Sequence, residues 1–135
     1  MDNYWKGRKV LATGAGGFIG SRLVEVLMRS GAQVRAFVRY NSRGDAGLLR
    51  TLSPFVLGGI EIIPGDLRDE DALRKAVGGN EIVFHLGALI SIPYSYLHPA
   101  EVAATNIMGT LNMLLACRDL GVEIERRGPG DLVEQ

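Results

Sequence analysis

Thr13-Gly14-Ala15-Gly16-Gly17-Phe18-Ile19-Gly20-Ser21 is the stretch that decides the fold. It follows the short apolar run Lys9-Val10-Leu11-Ala12-Thr13, which reads as a strand. A segment of helical period comes next, from about Gly17 to Ser30, with Ile19, Leu23 and Leu27 on one stripe and Val24 and Met28 beside it. Glycines recur at 14, 17 and 20. In a strand-to-helix turn the first glycine permits a tight bend and the second lets the backbone approach a pyrophosphate. The third lets helix and strand pack closely. The helix N-terminus then presents unpaired N–H groups and the positive end of its dipole to phosphate. A glycine string alone can be a ligand-free turn, but a strand before it and a helix after it are the context that a dinucleotide site requires.

The same alternation continues outward from this loop. Gly31 ends the helix, and Gln33-Val34-Arg35-Ala36-Phe37-Val38 is the second strand. Asn41 to Gly47 reads as a loop, with a short helix near 48–52. Ile60-Glu61-Ile62-Ile63 is the third strand, closed by Pro64-Gly65. Asp69 can cap a helix that carries Ala72, Leu73, Ala76 and Val77. The fourth strand, Ile82-Val83-Phe84-His85-Leu86, is apolar almost throughout, as befits a strand covered on both faces. A long helix over 100–120 follows, with Ile107, Leu111, Leu114 and Leu115 as its apolar stripe. Strands alternating with crossover helices predict an α/β fold, a Rossmann-like doubly wound parallel sheet of about four strands. The pattern then lapses. Six of the thirteen residues from Glu123 to Gln135 are charged and Pro129 would remove a ladder donor. The expectation is therefore a domain over 1–121 and a polar tail over 122–135 that supplies no central strand.

Composition narrows the function classes. The 135 residues hold 15 Lys and Arg against 15 Asp and Glu, so no general electrostatic attraction to nucleic acid or to an anionic membrane is expected. Cys117, the single cysteine, cannot form an internal disulfide, and two histidines without clustered acids give no metal-ligand spacing. No apolar run approaches a membrane span and the first residues lack a signal core, so the expected location is cytoplasmic.

Two positions beyond the glycines bear on the ligand. Binders of NAD place an acidic residue near the end of the second strand for the ribose 2′-hydroxyl. Here that end carries Arg39, with Arg43 behind it and no acid before Asp45. A guanidinium can pair a 2′-phosphate in bidentate fashion, which favours NADP over NAD; the alternative is a solvated surface arginine. Asp66, after the third strand, is placed either to meet the adenine amine or to form an Asx turn or helix cap.

Taken together and in order, Thr13-Gly-Ala-Gly-Gly-Phe-Ile-Gly20, Gly65-Asp66-Leu67 and Phe84-His85-Leu86-Gly87-Ala88 resemble the extended short-chain dehydrogenase/reductases. These are the NAD(P)-dependent nucleotide-sugar epimerases and dehydratases. Val34 to Gly44 and Ala88 to Ser95 are similar to the 4,6-dehydratase branch, and Asn106 matches an asparagine that the family carries in its fourth helix. The resemblance spans residue 8 to about 122. It implies that Gly14, Gly17, Phe18, Ile19 and Gly20 hold the pyrophosphate, and Arg39 the ribose or its phosphate. Asp66 and Leu67 would contact the adenine, Leu86 and Ala88 the nicotinamide side, and Ser91 and Tyr94 a nucleotide sugar. The helix over 100–120 resembles one through which such enzymes dimerise; its alternative is burial within one chain.

The resemblance also implies chemistry for which this sequence has no residues. The family's base is the tyrosine of a Tyr-x-x-x-Lys pair, its phenol acidified by the ammonium. The residues four beyond Tyr4, Tyr40, Tyr94 and Tyr96 are Arg8, Gly44, His98 and Ala100. No catalytic residue is therefore assigned. The expected identity is the cofactor-binding front part of a longer oxidoreductase or lyase, with a shifted frame or misplaced gene end as the source of the altered pattern after Val122. The alternatives are a stand-alone NADP(H)-binding module and an enzyme completed by a separate chain.

Overall fold

In a computed structural model of the chain, residues 4–39, 47–87 and 99–126 are described. The strands are β1 (Lys9–Thr13), β2 (Gln33–Val38), β3 (Glu61–Pro64), β4 (Ile82–His85) and β5 (Glu123–Arg126). They lie in the order β3-β2-β1-β4-β5, and every pairing is parallel. The chain winds from β1 outward to β3, then returns to the other side of β1. The switch between β1 and β4 opens a crevice at the carboxyl ends of the strands, where such sheets take ligands.

Alternation along the strands builds two cores. Val10 and Ala12 of β1, with Val34, Ala36 and Val38 of β2 and Phe84 of β4, face α1 (Phe18–Arg29). Leu11, Phe37 and Val83 face the opposite layer, where α3 (Glu70–Val77) and α5 (Gly109–Leu120) pack. Helices on both faces are the doubly wound arrangement that the alternating pattern predicted. Trp5, packed at 5.7 Å from the Phe84 ring, and Tyr4 against it cover the first of these layers.

Local chemistry explains several boundaries. Asp69 accepts a hydrogen bond from the Ala72 N–H at 3.1 Å, as expected of an N-cap, with Glu70 and Asp71 in the first turn of α3 and Arg74 and Lys75 in the last. Gly121 closes α5 in the left-handed region at φ 68°. The segment near 48–52 forms a 3-10 turn, Gly47–Thr51, and a short helix α2 (Pro54–Leu57), not anticipated, is capped by Ser53.

Other features differ from expectation. The sheet has five strands: Glu123–Arg126 pairs with β4, so the fold continues past residue 121. Among the described residues β5 pairs along one edge, and a strand so placed does not need the apolar composition of a central one. The helix over 100–120 is α4 (Pro99–Ala103), a π-helical turn over 104–108, and α5. Its buried face is Gly109, Met113, Ala116 and Cys117, while Ile107, Leu111 and Leu114 point outward. In α1 the buried face is Gly20, Ser21, Val24 and Leu27, and Ile19 is exposed. Small residues win both inner faces because they let the helix approach the sheet.

Arg35 of β2 closes the last turn of α3. Its Nη1 donates to the carbonyl oxygens of Ala76 (2.8 Å) and Gly78 (3.0 Å), and its Nε donates to Glu61 at 2.9 Å. An Arg35→Leu substitution leaves the Gly78 carbonyl without this donor, while Ala76 keeps the Asn80 Nδ2 bond at 2.8 Å, and is expected to cost about 1–3 kcal/mol. Arg35→Lys, which keeps one donor head, should cost less. Urea unfolding of the three proteins measures both.

Candidate functional site

The site begins with a close approach. A Cβ on Gly20 would lie 2.0 Å from the Gly14 carbonyl oxygen, and one on Gly14, at φ +65°, would lie 2.7 Å from the Leu86 carbonyl carbon. Only glycine fits either place. The turn is thereby folded tightly beneath α1 and pressed against the strand end that follows β4. Gly17 is different: it is extended (φ −82°, ψ 178°), exposed, and an added Cβ would meet only the Gly14 oxygen at 3.4 Å. No side chain caps the first turn of α1 and no acidic residue stands in it. Among the described residues nothing but the Gly14 oxygen stands near that Cβ position, beside a helix end with no side-chain cap, and such an end suits an anion.

Thr13 organises the floor of this crevice. It is fully buried, and its Oγ1 accepts the N–H groups of Leu86 at 3.0 Å and Gly87 at 2.9 Å. A hydroxyl has two lone pairs and one proton, so that proton goes to His85 Nδ1, 2.8 Å away. His85 then carries its own proton on Nε2, which lies 3.4 Å from Thr110 Oγ1; the Thr110 hydroxyl donates to the Asn106 carbonyl at 2.8 Å. His85 is buried and committed to this chain, in keeping with a structural role. The chain of bonds ties β1, β4 and the π-helical turn together. Thr13 and Thr110 were given no role from sequence, because their partners are distant in the chain; a Thr immediately before the first glycine was the available signal.

The charged residues gather at the far end of the crevice. Asp66 Oδ1 accepts from the Arg68 backbone N–H at 2.8 Å, which is the Asx-turn alternative. Its carboxylate is also paired with the Arg68 guanidinium, at 2.6 Å to Nη2. The Arg68 side-chain bond holds the Asp66 carboxyl below the usual carboxylate range; partial burial opposes this, and Arg39 adds a weaker attraction. Leu67 is buried in the α3–α5 core and its carbonyl accepts from Asn112 Nδ2 at 3.2 Å, so its side chain is used in packing. Arg39 is half exposed and its Nη2 lies 2.6 Å from Glu101 Oε1 of α4. Arg68 and Glu101 were not anticipated either.

The structure thus brings Gly14, Gly17 and Gly20 together in the turn before α1, with Gly14 against Leu86, and sets Arg39 and Asp66 just past the ends of β2 and β3; the Phe18 and Ile19 side chains are exposed and line a groove with Leu48 and Leu52. Ala88, Ser91, Tyr94 and His98 lie outside the described residues. Cys117 is in the core, its Sγ 3.7 Å from the Met113 sulfur and its thiol pushed up by burial, as a packing residue would be. Among the described residues no cluster of His, Cys, Asp and Glu could hold a metal ion, and no helix is long and apolar enough to cross a membrane.

Comparison with known proteins agrees with this geometry. The family model for GDP-mannose 4,6 dehydratase matches residues 11–127. A CDP-glucose 4,6-dehydratase of Salmonella typhimurium is 35% identical over 123 residues, covering 88% of this chain and 33% of that protein. A 2-alkyl-3-oxoalkanoate reductase of Stenotrophomonas maltophilia is 38% identical, covering 84% and 31%. Among solved structures, a UDP-glucose 4-epimerase of Thermus thermophilus in complex with NAD superposes with a TM-score of 0.70 at 31% identity, covering 86% of this chain and 36% of that one. The chain spans about a third of the length of these proteins.

Two substitutions probe the crevice directly. Thr13→Val removes the acceptor of two partly buried N–H groups and the donor to His85 and is expected to cost about 1–3 kcal/mol in chemical denaturation, with Thr13→Ser restoring most of it. Asp66 has its carboxyl lowered in the folded state, so its contribution is present at neutral pH and is lost as acid protonates it. The stability gap between wild type and Asp66→Asn should therefore be widest near neutrality and close below about pH 4. A gap that stays constant over that range would show that the Asp66–Arg68 pair contributes nothing to folding.

Proposed function

Because the chain belongs to the GDP-mannose 4,6-dehydratase family and covers the N-terminal part of nucleotide-sugar dehydratases and epimerases, we propose that it binds a nicotinamide dinucleotide on behalf of such an oxidoreductase or lyase. One observation carries this reading: the uncapped N-terminus of α1 stands over a glycine loop at the switch between β1 and β4. The residues fit the group. Gly14, Gly17, Phe18, Ile19 and Gly20 would hold the pyrophosphate through their backbone, with Gly17 as the point of closest approach. Leu86, and Ala88 beyond it, would border the nicotinamide. Asp66 and the backbone of Leu67 would lie beside the adenine. When bound in its oxidised form, the nicotinamide would take a hydride from the carbon that bears a sugar hydroxyl, the hydroxyl proton passing to a base, and later return the hydride.

Several finer readings go with this one. Arg39, half exposed, has N–H groups to offer a ribose 2′-phosphate, which supports NADP over NAD. A nucleotide sugar is the substrate class, with Ser91 and Tyr94 as its contacts. The outward stripe of Ile107, Leu111 and Leu114 supports a homodimer through this helix, since an apolar stripe on a surface helix is most stable when covered. A cytoplasmic setting suits a chain with a single cysteine held in the core.

Gly17 separates binding from folding. Its backbone conformation is open to any residue and among the described residues an added Cβ meets only the Gly14 oxygen, so Gly17→Val, at the N-cap of α1, should cost about 1 kcal/mol in thermal unfolding and leave the protein folded. The added branches would occupy the space that the pyrophosphate needs, weakening NAD(P)H binding by about tenfold or more in a fluorescence titration. Equal affinity in both proteins would place the dinucleotide elsewhere.

A further inference from the structure

The end of β2 lacks the acidic residue that a ribose 2′-hydroxyl would accept as a partner, yet the fold brings one there from another part of the chain. Glu101 of α4 lies 62 residues beyond Arg39, and the two side chains meet at 2.6 Å. The Glu101 side chain is three-quarters shielded while that of Arg39 stays half exposed, and the carboxylate is bonded to Nη2 of Arg39. Arg39 also acts on the Asp66 carboxylate, which Arg68 already neutralises. The charges therefore form a row, Arg68, Asp66, Arg39, Glu101. Within it Asp66 is matched by its own arginine, and Glu101 is the acid in direct contact with Arg39.

We propose that Glu101 is a specificity-determining residue for the 2′ position of the dinucleotide, competing with a 2′-phosphate for Arg39 and tolerating a 2′-hydroxyl. This rests on the dinucleotide reading above. A 2′-phosphate brings about −1.5 to −2 charges to the guanidinium. It must either displace the Glu101 carboxylate or sit beside it, and like charges a few ångströms apart in a partly shielded site repel. A 2′-hydroxyl brings no charge and can donate its proton to the same carboxylate. The preference for NADP that Arg39 confers is thus held down by Glu101, and α4 is coupled to the cofactor through one ion pair. The position could not be found from local spacing, because the acid comes from a helix that follows β4.

Isothermal titration of the full chain with NAD+, NADP+ and 2′,5′-ADP tests this on wild type, Glu101→Gln and Glu101→Asp. Removing the charge should tighten NADP+ and 2′,5′-ADP by about tenfold and change NAD+ by less than about threefold. Glu101→Asp, with a shorter reach to Arg39, should fall between. The thermal midpoint should fall by no more than a few degrees in either variant, since the Arg39 side of the pair is half exposed. An NADP+ to NAD+ affinity ratio that is unchanged in both variants overturns the role of Glu101 while leaving the dinucleotide reading intact. Failure of wild type to bind either dinucleotide overturns both.

Discussion

Were a side chain present on Gly20, its Cβ would stand 2.0 Å from the carbonyl oxygen of Gly14, inside any permissible contact. The first helix can lie over its own entry turn only because that atom is missing, and much else follows from the placement. It directs Val24 and Leu27 into the layer made by Val10, Val34 and Ala36. It also leaves the amino end of α1 over the crevice between β1 and β4, with no side chain of its own to satisfy the first N–H groups. Had that helix begun further out, the dipole and the free donors would face solvent, where they are worth little to an anion.

The same closeness makes Thr13 indispensable. Gly14 is pressed against the Leu86 carbonyl, which brings the N–H groups of Leu86 and Gly87 to the buried end of β1, away from water. A buried donor needs a partner, and one hydroxyl serves both. That choice has a consequence further along, since the remaining proton on Thr13 can go only to His85. The orientation of the imidazole, and through it the bond to Thr110, is set by counting lone pairs at a threonine in another strand. Residues from β1, β4 and the π-helical turn are thus fixed relative to one another by a single sequence of donors and acceptors.

Some of this could be read from the residues in order, and the reasons for the rest are physical. The glycine loop, four of the five strands and the Asp69 cap depend on neighbours within a few positions, so spacing was sufficient. Which face of a helix turns inward depends on the partner. Over the π-helical turn and α5 the large apolar residues at 107, 111 and 114 formed the more obvious stripe, yet Gly109 and Ala116 lie inside. Gly109 sits so near Leu67 that a Cβ there would be 2.8 Å from it. β5 was missed because central strands set the expectation, whereas it pairs along one edge among the described residues. Glu101 and Thr110 were missed because each acts on a residue far away in sequence, brought near only by the winding of the sheet.

A dehydratase and a reductase both share this third of their length with the chain, although their reactions differ. The common part must then serve a step that both have, and the chemistry of its side chains agrees. The groups that face the crevice are backbone donors and paired charges, Arg39 with Glu101 and Asp66 with Arg68, which attract and orient anions. His85, the group best suited to moving a proton, spends both ring nitrogens on threonine hydroxyls, and the Cys117 thiol is raised by burial in the core. Among the described residues, then, neither of these two groups is placed to exchange a proton with a ligand in the crevice. One binding scaffold can serve several reactions when the reacting groups differ around it.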